Sequence, residues 1–382
     1  GIIGKLGLWL YNFLDGRKKV VVQGIASQES EVLSSVPQGT VLAPILFLIL
    51  LSDIDKDIIE AFVKSFADDT KIGKEIEEQK HITMLQNCII KIFEWAEENN
   101  MQFNPEKFQL LRYGKNENLK LENYHTKDGT IIQRKSMAKD LGIIMQDDAN
   151  FNIHYELTNN KARKIMGQIM RSFKSRDPKT MLTLWKALIV PIIDYCSVLT
   201  SPYKQGDIEK LESLQRAFTN KIELDNRLNY WNRLKYLKLY SLERRRERYT
   251  IIYAWKILEN KVKNLENEPI TPKTNSESRN GRTCKIPQLK SHQGTALTLQ
   301  ENTFKIRGPK LFNAMPKEIR NITEVNVDTF KKQLDKWLTK VPDEPGFPGY
   351  RSQRRAHSNS ILDQRQYINN AGGDPVSTRE EY

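Results

Sequence analysis

The sequence predicts an α+β chain. Small strands and helices occupy residues 1–150, and helices alone occupy 151–263. A linker follows at 264–300, then a small helical block at 301–340 and a disordered, flexible tail at 341–382. Three observations carry this reading. Strand-favouring runs such as Val20-Val21-Val22 and Leu141 to Met145 alternate with charged or Pro/Gly turns in the first part only. After Asn150, apolar residues recur at three- and four-residue steps between short connectors. The linker and tail are polar and hold few large apolar residues, too few to offset the entropy of ordering them.

The elements follow in order. Leu6, Leu8, Trp9, Leu10, Phe13 and Leu14 crowd an apolar helix, which Asp15-Gly16 ends as a turn. Val41 to Leu51 is the most apolar run, but its 11 residues include Pro44. A membrane span needs about 20 apolar residues, so this run predicts a buried core helix and no membrane partner. Ile82, Leu85, Ile89, Ile92, Phe93 and Trp95 place one apolar face on a helix over 80–103, which Asn104-Pro105 closes. Short strands are expected at Phe108 to Tyr113, Thr130 to Gln133 and Leu141 to Met145. Helices are expected at 155–173, 178–190, 206–221, 228–238 and 241–262.

Sixty Lys and Arg residues against 47 Asp and Glu give a net charge of +13. That surplus favours polyanionic partners, nucleic acid first. Cys88, Cys196 and Cys284 are too few and too far apart for a disulfide framework or a four-cysteine zinc site. A reducing compartment and no disulfide-linked partner are therefore expected. No segment reads as a signal peptide, so the expected location is intracellular, nuclear or cytoplasmic. The chain begins with Gly1 rather than Met and reads as a piece of a longer protein.

Two segments carry the chemistry. Asp68-Asp69, inside Phe66-Ala67-Asp68-Asp69-Thr70-Lys71, sets two carboxylates at a hairpin tip. Successive strand side chains face opposite ways, so one of the pair faces a given site. Phosphoryl transfer by paired cations needs oxygen ligands gathered from separate strands. Alone, the doublet reads as a solvated turn. In Ser35-Val36-Pro37-Gln38-Gly39-Thr40, Pro37 stiffens a turn, Gln38 offers a donor and an acceptor, and Gly39 admits close backbone approach. Alone, it reads as a turn before a helix.

Together, in this order and with Gly39 and Asp68 29 positions apart, they resemble the reverse transcriptase domain of non-LTR (LINE-type, jockey-like) retrotransposons. The similarity extends over most of residues 1–340. It includes Gly7-Leu8-Trp9-Leu10, Asn104-Pro105-Glu106-Lys107, Leu141-Gly142-Ile143, Ser241 to Arg246, and Arg307-Gly308-Pro309 with Met315-Pro316. The resemblance implies a partial right-hand polymerase palm of antiparallel strands and helices at 1–150 and a helical thumb and connector at 151–263. It implies Pro37, Gln38 and Gly39 at the nucleotide pocket, Asp68 and Asp69 on Mg²⁺, and Lys107 beside the leaving pyrophosphate. The implied reaction is RNA-templated addition of deoxynucleoside triphosphates to a DNA primer 3′ hydroxyl.

The family's first catalytic Asp motif has no match here, so the expectation is an N-terminally truncated polymerase, inactive alone. Ser35 and Ala43 stand where the family commonly has Gly. The alternative is a catalytically inactive, basic nucleic-acid-binding remnant or a domesticated interaction protein. Arg244, Arg245, Arg246 and Arg248 lie on an expected helix near Tyr240, Tyr249 and Tyr253. Such a run reads either as a solvated face or as phosphate contacts to a single strand. Trp185, Trp231 and Trp255 read as core.

Overall fold

A computed structural model of the chain describes residues 2–15, 17–18, 21–28, 30–31, 36, 39–104, 107–114, 123–262, 270–271, 281–289, 293–345 and 359–364. Its contacts fall into two compact units, Gly1–Ser136 and Met137–Tyr382.

The first unit begins with helix α1 (Gly4–Leu14). Strands β1 (Arg17–Lys18) and β4 (Ser30–Glu31) pair around the pair formed by β2 (Val21–Val22) and β3 (Ile25–Ala26). Helix α2 (Ala43–Leu50) carries Pro44 in its first turn, where a missing N–H costs nothing. It then tightens into a 3₁₀ turn at Leu51–Asp53. Strands β5 (Phe62–Phe66) and β6 (Asp69–Gly73) form an antiparallel hairpin. Helix α3 (Gln79–Glu98) buries Ile82, Leu85, Cys88, Ile89, Ile92 and Ala96, the face its sequence spacing predicts. Its flanks pack two small cores: Leu51, Ile54, Ile58 and Val63 on one side, Tyr124 and Ile132 on the other. Strands β7 (Leu110–Leu111) and β8 (Arg134–Lys135) pair in parallel, where antiparallel strands are expected.

One expectation is overturned here. The apolar run at α2 is not a buried core helix. Only Ala43 is buried, while Ile45, Leu48, Ile49 and Leu50 are exposed. The local core is filled by α3 and by Leu51, Ile54 and Ile58 just after α2, so α2 contributes little more than Phe47 to it.

The second unit starts before residue 150, with the hairpin of β9 (Met137–Asp140) and β10 (Ile143–Gln146). Leu141 and Gly142 form its two-residue turn with φ of +43° and +88°, the left-handed pair that matches strand twist. The hairpin is tied to the helices that follow. Ile144 N–H donates to His154 Nδ1 at 3.5 Å, and Tyr195 O–H donates to the Leu141 carbonyl at 2.7 Å. Helices α4 (Asn152–Ser172), α5 (Pro178–Leu184), α6 (Val190–Asp194), α7 (Gln205–Thr219) and α8 (Tyr230–Leu237) come next, with a π-turn at Trp185–Ile189 between α5 and α6. Then come α9 (Leu242–Leu258), α10 (Gly294–Asn302), α11 (Phe304–Ala314), α12 (Lys317–Arg320) and α13 (Val327–Leu338). Asp177, Asn229, Ser241 and Asn326 cap α5, α8, α9 and α13 by accepting a first-turn N–H.

Two cores fill this unit. Trp185, Ile189, Leu214 and Phe218 anchor one. In the other, Trp255 stacks on Phe330 with ring centroids 4.3 Å apart. Residues read as linker and tail join the second core: Ile270, Cys284, Val341 and Ile361 are all buried in it. All three cysteines are free thiols. No helix among the described residues is long and apolar enough to cross a membrane.

Candidate active site

The β5–β6 register pairs Phe66 with Asp69 and leaves Ala67 and Asp68 as the two-residue turn. Ala67 takes φ +52°, so the turn is held in a left-handed conformation by a residue with a side chain. Behind it, the Ser65 and Thr70 hydroxyls are hydrogen-bonded across the strands at 2.9 Å. At the far end, the Phe62 ring lies over Gly73, where an added Cβ would sit 2.3 Å from Phe62 Cζ. Asp68 and Asp69 are therefore carried on a braced hairpin, and both side chains are exposed.

Adjacent exposed carboxylates are the hard oxygen donors that Mg²⁺ takes. Among the described residues no group of three or more His, Cys, Asp or Glu side chains converges. The doublet thus fits part of a metal donor set and is not a two-metal centre by itself.

The other expected site residues are placed as follows. Pro37 and Gln38 lie outside the described residues. Gly39 has φ +81° with open space where a side chain would be, so the backbone conformation itself favours Gly. Lys107 is exposed, and its N–H donates to the Asn104 carbonyl at 3.1 Å. Among the described residues no hydrogen bond or ion pair joins Lys107 or Gly39 to Asp68 or Asp69.

The arginine run is corrected. Arg244 and Arg246 on α9 are buried, with Arg244 at 0% exposure, so neither forms a phosphate-binding surface. Arg246 donates to the Ile193 carbonyl at 2.9 Å. Arg245 pairs with Asp194 at 2.6 Å, and Arg248 grips both Asp335 oxygens at 2.5 and 2.7 Å. The physical reason is the company these arginines keep: Glu243 and Glu247 are buried on α9 itself, and the buried Glu212 and half-buried Asp343 lie beside the helix. Burial pushes the Glu212 carboxyl up to about 7, although Tyr230 O–H and Leu242 N–H donate to it. Burial also raises Asp343, and burial with the neighbouring Glu247 charge raises Glu243.

An exposed basic face lies elsewhere. Helix α4 buries Tyr155, Ala162 and Ile169 at seven-residue steps. Its opposite face carries Lys161, Lys164, Gln168 and Arg171, all exposed, with Gly167 between them. Arg171 Nη1 would be 3.6 Å from a Cβ at Gly167, so the guanidinium lies along the space that the glycine leaves. Sequence reading passed over this stripe because its cations are spaced, not consecutive. The signal available was their recurrence at steps of three and seven on the face opposite the apolar residues.

Residues 3–163, which include the Asp68-Asp69 hairpin, match the reverse transcriptase (RNA-dependent DNA polymerase) family. The relatives that match are polymerases of non-LTR retrotransposons, which supports a reverse transcriptase domain of that kind in these residues. The RNA-directed DNA polymerase from mobile element jockey of Drosophila melanogaster is 23% identical over 234 residues, 57% of this chain and 25% of that protein. The retrovirus-related Pol polyprotein from type-1 retrotransposable element R1 of Bradysia coprophila is 23% identical over 197 residues, 50% of this chain and 20% of that one. The probable RNA-directed DNA polymerase from transposon X-element of Drosophila melanogaster is 22% identical over 215 residues, 54% and 24%. The chain thus spans a quarter or less of the length of these relatives. No solved structure matches it. The reverse transcriptase match runs through the first unit and ends inside α4, at Arg163.

Proposed function

We propose that this chain is part of an RNA-directed DNA polymerase of a non-LTR retrotransposon, which extends a DNA primer 3′ hydroxyl on an RNA template with deoxynucleoside triphosphates. The observation that carries the reading is the braced hairpin that presents Asp68 and Asp69 within the segment matching the reverse transcriptases. A held Mg²⁺ would neutralise triphosphate charge there. The chain's own part is to present carboxylate at a fixed turn, with Asp68 as ligand and Asp69 beside it. Gly39, with Pro37 and Gln38, would shape the nucleotide pocket, and Lys107 would sit near the leaving pyrophosphate. The α4 stripe, rather than the arginines of α9, is the surface suited to the phosphates of template and primer.

Primer extension on an RNA template with Mg²⁺ tests this reading in a polymerase carrying these residues. Asp68→Asn keeps side-chain size and removes charge, so it should slow extension by several orders of magnitude, an effect of about 4 kcal/mol. Asp69→Asn should cost less, and neither should change primer–template affinity. Extension within about tenfold of the parent after Asp68→Asn overturns the assignment.

The second reading is a nucleic-acid-binding protein without polymerase chemistry. It is favoured by the absence of a third metal-capable side chain beside the doublet among the described residues, set against the exposed cations of α4. Salt-sensitive binding without any extension would select it.

A further inference from the structure

Six residues near the C-terminal end, Asn359 to Gln364, are held in the second unit as a bound peptide is held. Their backbone and polar side chains are met by charged side chains, of which Arg244, Glu243 and Glu247 are buried and Asp343 is half-buried. Arg244 of α9 donates to the Asn359 carbonyl and to Gln364 Oε1, each at 2.8 Å, while it also donates to the Pro342 carbonyl at 2.8 Å. Glu243 accepts the Asn359 N–H at 3.2 Å. Glu247 takes two donors from the segment, the Ser360 hydroxyl at 2.5 Å and the Ile361 N–H at 2.8 Å. Asp343 accepts from the Asn359 side-chain amide at 3.3 Å. Between these polar contacts, Ile361 inserts a fully buried side chain into the core that holds Leu334 and Trp337.

This division of labour matters. The polar contacts read backbone N–H, carbonyl and small polar side chains, and one pocket reads an aliphatic side chain. Main-chain bonds that give affinity and one pocket that gives selectivity are the pattern of peptide recognition. The segment makes few bonds within itself: the Asp363 and Gln364 N–H groups both return to the Ser360 carbonyl, a single turn. Thirteen residues, 346–358, separate it from the last described part of the chain before it. A tether of that length reaches up to about 45 Å, so the contacts and not the connection decide where the segment sits.

We propose that α9 and the residues around it form a peptide-docking groove, selective for an Asn-Ser-aliphatic triplet, and that the chain's own Asn359–Gln364 occupies it as a detachable clip. The groove is independent of the polymerase reading, because none of its residues belongs to the Asp68-Asp69 hairpin or to the α4 stripe.

The test uses the full chain. Ile361→Asp places a charge in the aliphatic pocket and vacates the groove. A fluorescent peptide with the sequence of residues 357–366 should then bind the Ile361→Asp chain in the micromolar range. The parent, whose groove is filled, should bind it about tenfold or more weakly, since affinity falls with the fraction of open sites. Adding Glu247→Gln to the vacated chain should abolish binding, as should Ile361→Asp in the peptide. A vacated chain that unfolds like the parent yet binds no peptide overturns the proposal, and so does equal binding to parent and variant.

Amide exchange in the parent decides the matter should Ile361→Asp prevent folding. The Ile361 and Asn359 amides should exchange about a hundredfold slower than free amides, yet faster than Ile251 and Trp255 in α9, because a clip opens without the core. Exchange in step with Ile251 would make the segment an integral part of the core, and no protection would make it undocked; either result ends the proposal. A parent that is dimeric at every concentration, with each groove filled by the other copy's segment, would overturn the assignment in favour of exchange between copies.

Discussion

The tip of the β5–β6 hairpin and helix α9 each carry a run of like charge, and the two runs have opposite fates. Asp68 in the two-residue turn and Asp69 at the start of β6 both stand in solvent. Arg244 and Arg246 lie inside the second unit, ringed by Glu212, Glu243, Glu247 and Asp343. A charge run becomes structural where counter-charges close around it, and stays available for a ligand where they do not. Adjacent residues on a hairpin tip cannot be enclosed by neighbouring elements, whereas successive residues of a helix packed on several sides almost must be. Glu243 and Glu247 come from α9 itself, but Asp194 and Asp335 lie 51 and 87 positions from the arginines they hold, so the fold supplies the partners that close the ring.

The comparison breaks most sharply at Arg244. Arg244→Met keeps much of the volume and removes the guanidinium that binds the Val341, Pro342 and Asn359 carbonyls. It leaves the buried Glu247, 3.9 Å from Nε, and the half-buried Asp343 with less compensation. Removing one partner from a buried charged set costs about 3–5 kcal/mol. Urea unfolding followed by Trp fluorescence should show that loss. Stability within about 0.5 kcal/mol of the parent would mean that α9 does not need its charge, and the contrast with the hairpin would fail.

A second effect, about 3 kcal/mol, follows from Glu212. Its carboxyl is raised from 4.5 to about 7 by burial, so the folded chain holds a proton that the unfolded chain has released. The stabilisation this gives is complete below about pH 4.5 and is lost as pH rises through about 7. The raised Glu243 and Asp343 carboxyls act in the same direction. The urea midpoint should therefore fall between pH 5 and pH 8. Glu212→Gln, which cannot ionise, should flatten the fall. A midpoint that rises over this window would contradict the buried-carboxylate account.

Much of the fold was legible wherever one face repeats. The Ile82–Ile92 face of α3 and the helix order after residue 150 follow directly from spacing, and the aspartate doublet sits at a hairpin turn as expected. Legibility stopped where burial depends on partners far along the chain. The apolar α2 run predicts a core helix because hydrophobicity says what prefers burial, not what is available to cover it. Ile270, Cys284 and Ile361 are buried, yet each lies in a mostly polar stretch where no periodicity marks it. At the site, residue types and spacing pointed to the hairpin. The α4 stripe needed the helix's buried face before its cations could be seen to share the other one.

That stripe gives a smaller expected effect. Lys161, Lys164 and Arg171 occupy one side of α4 over ten residues, about 15 Å of helix. Replacing all three by Ala should weaken binding to single-stranded RNA about tenfold at low salt and make the log–log salt dependence shallower by about 0.7 for each lost contact. Arg163, whose guanidinium donates to Ser213 at 2.9 Å, serves as the internal comparison: Arg163→Ala should move the slope less. Equal slopes for parent and triple variant would remove α4 as the phosphate-binding face and leave the basic surplus without a site.

The smallest effect expected is on stability at the hairpin itself. Asp68 and Asp69 are exposed, and neither makes an ion pair among the described residues, so neutralising them removes no folded-state partner. Two adjacent like charges repel weakly in water, at most about 1 kcal/mol at contact distance and less in salt. The Asp68→Asn, Asp69→Asn double variant should therefore unfold within about 0.5 kcal/mol of the parent, with any change toward greater stability at low salt. The backbone should not object, because Asn tolerates turn conformations as well as Asp does. Such neutrality is what makes the pair informative: a loss of extension without a loss of stability assigns the carboxylates to chemistry. A destabilisation above about 1 kcal/mol would instead show that the carboxylates hold the turn, and the hairpin would then resemble α9 after all.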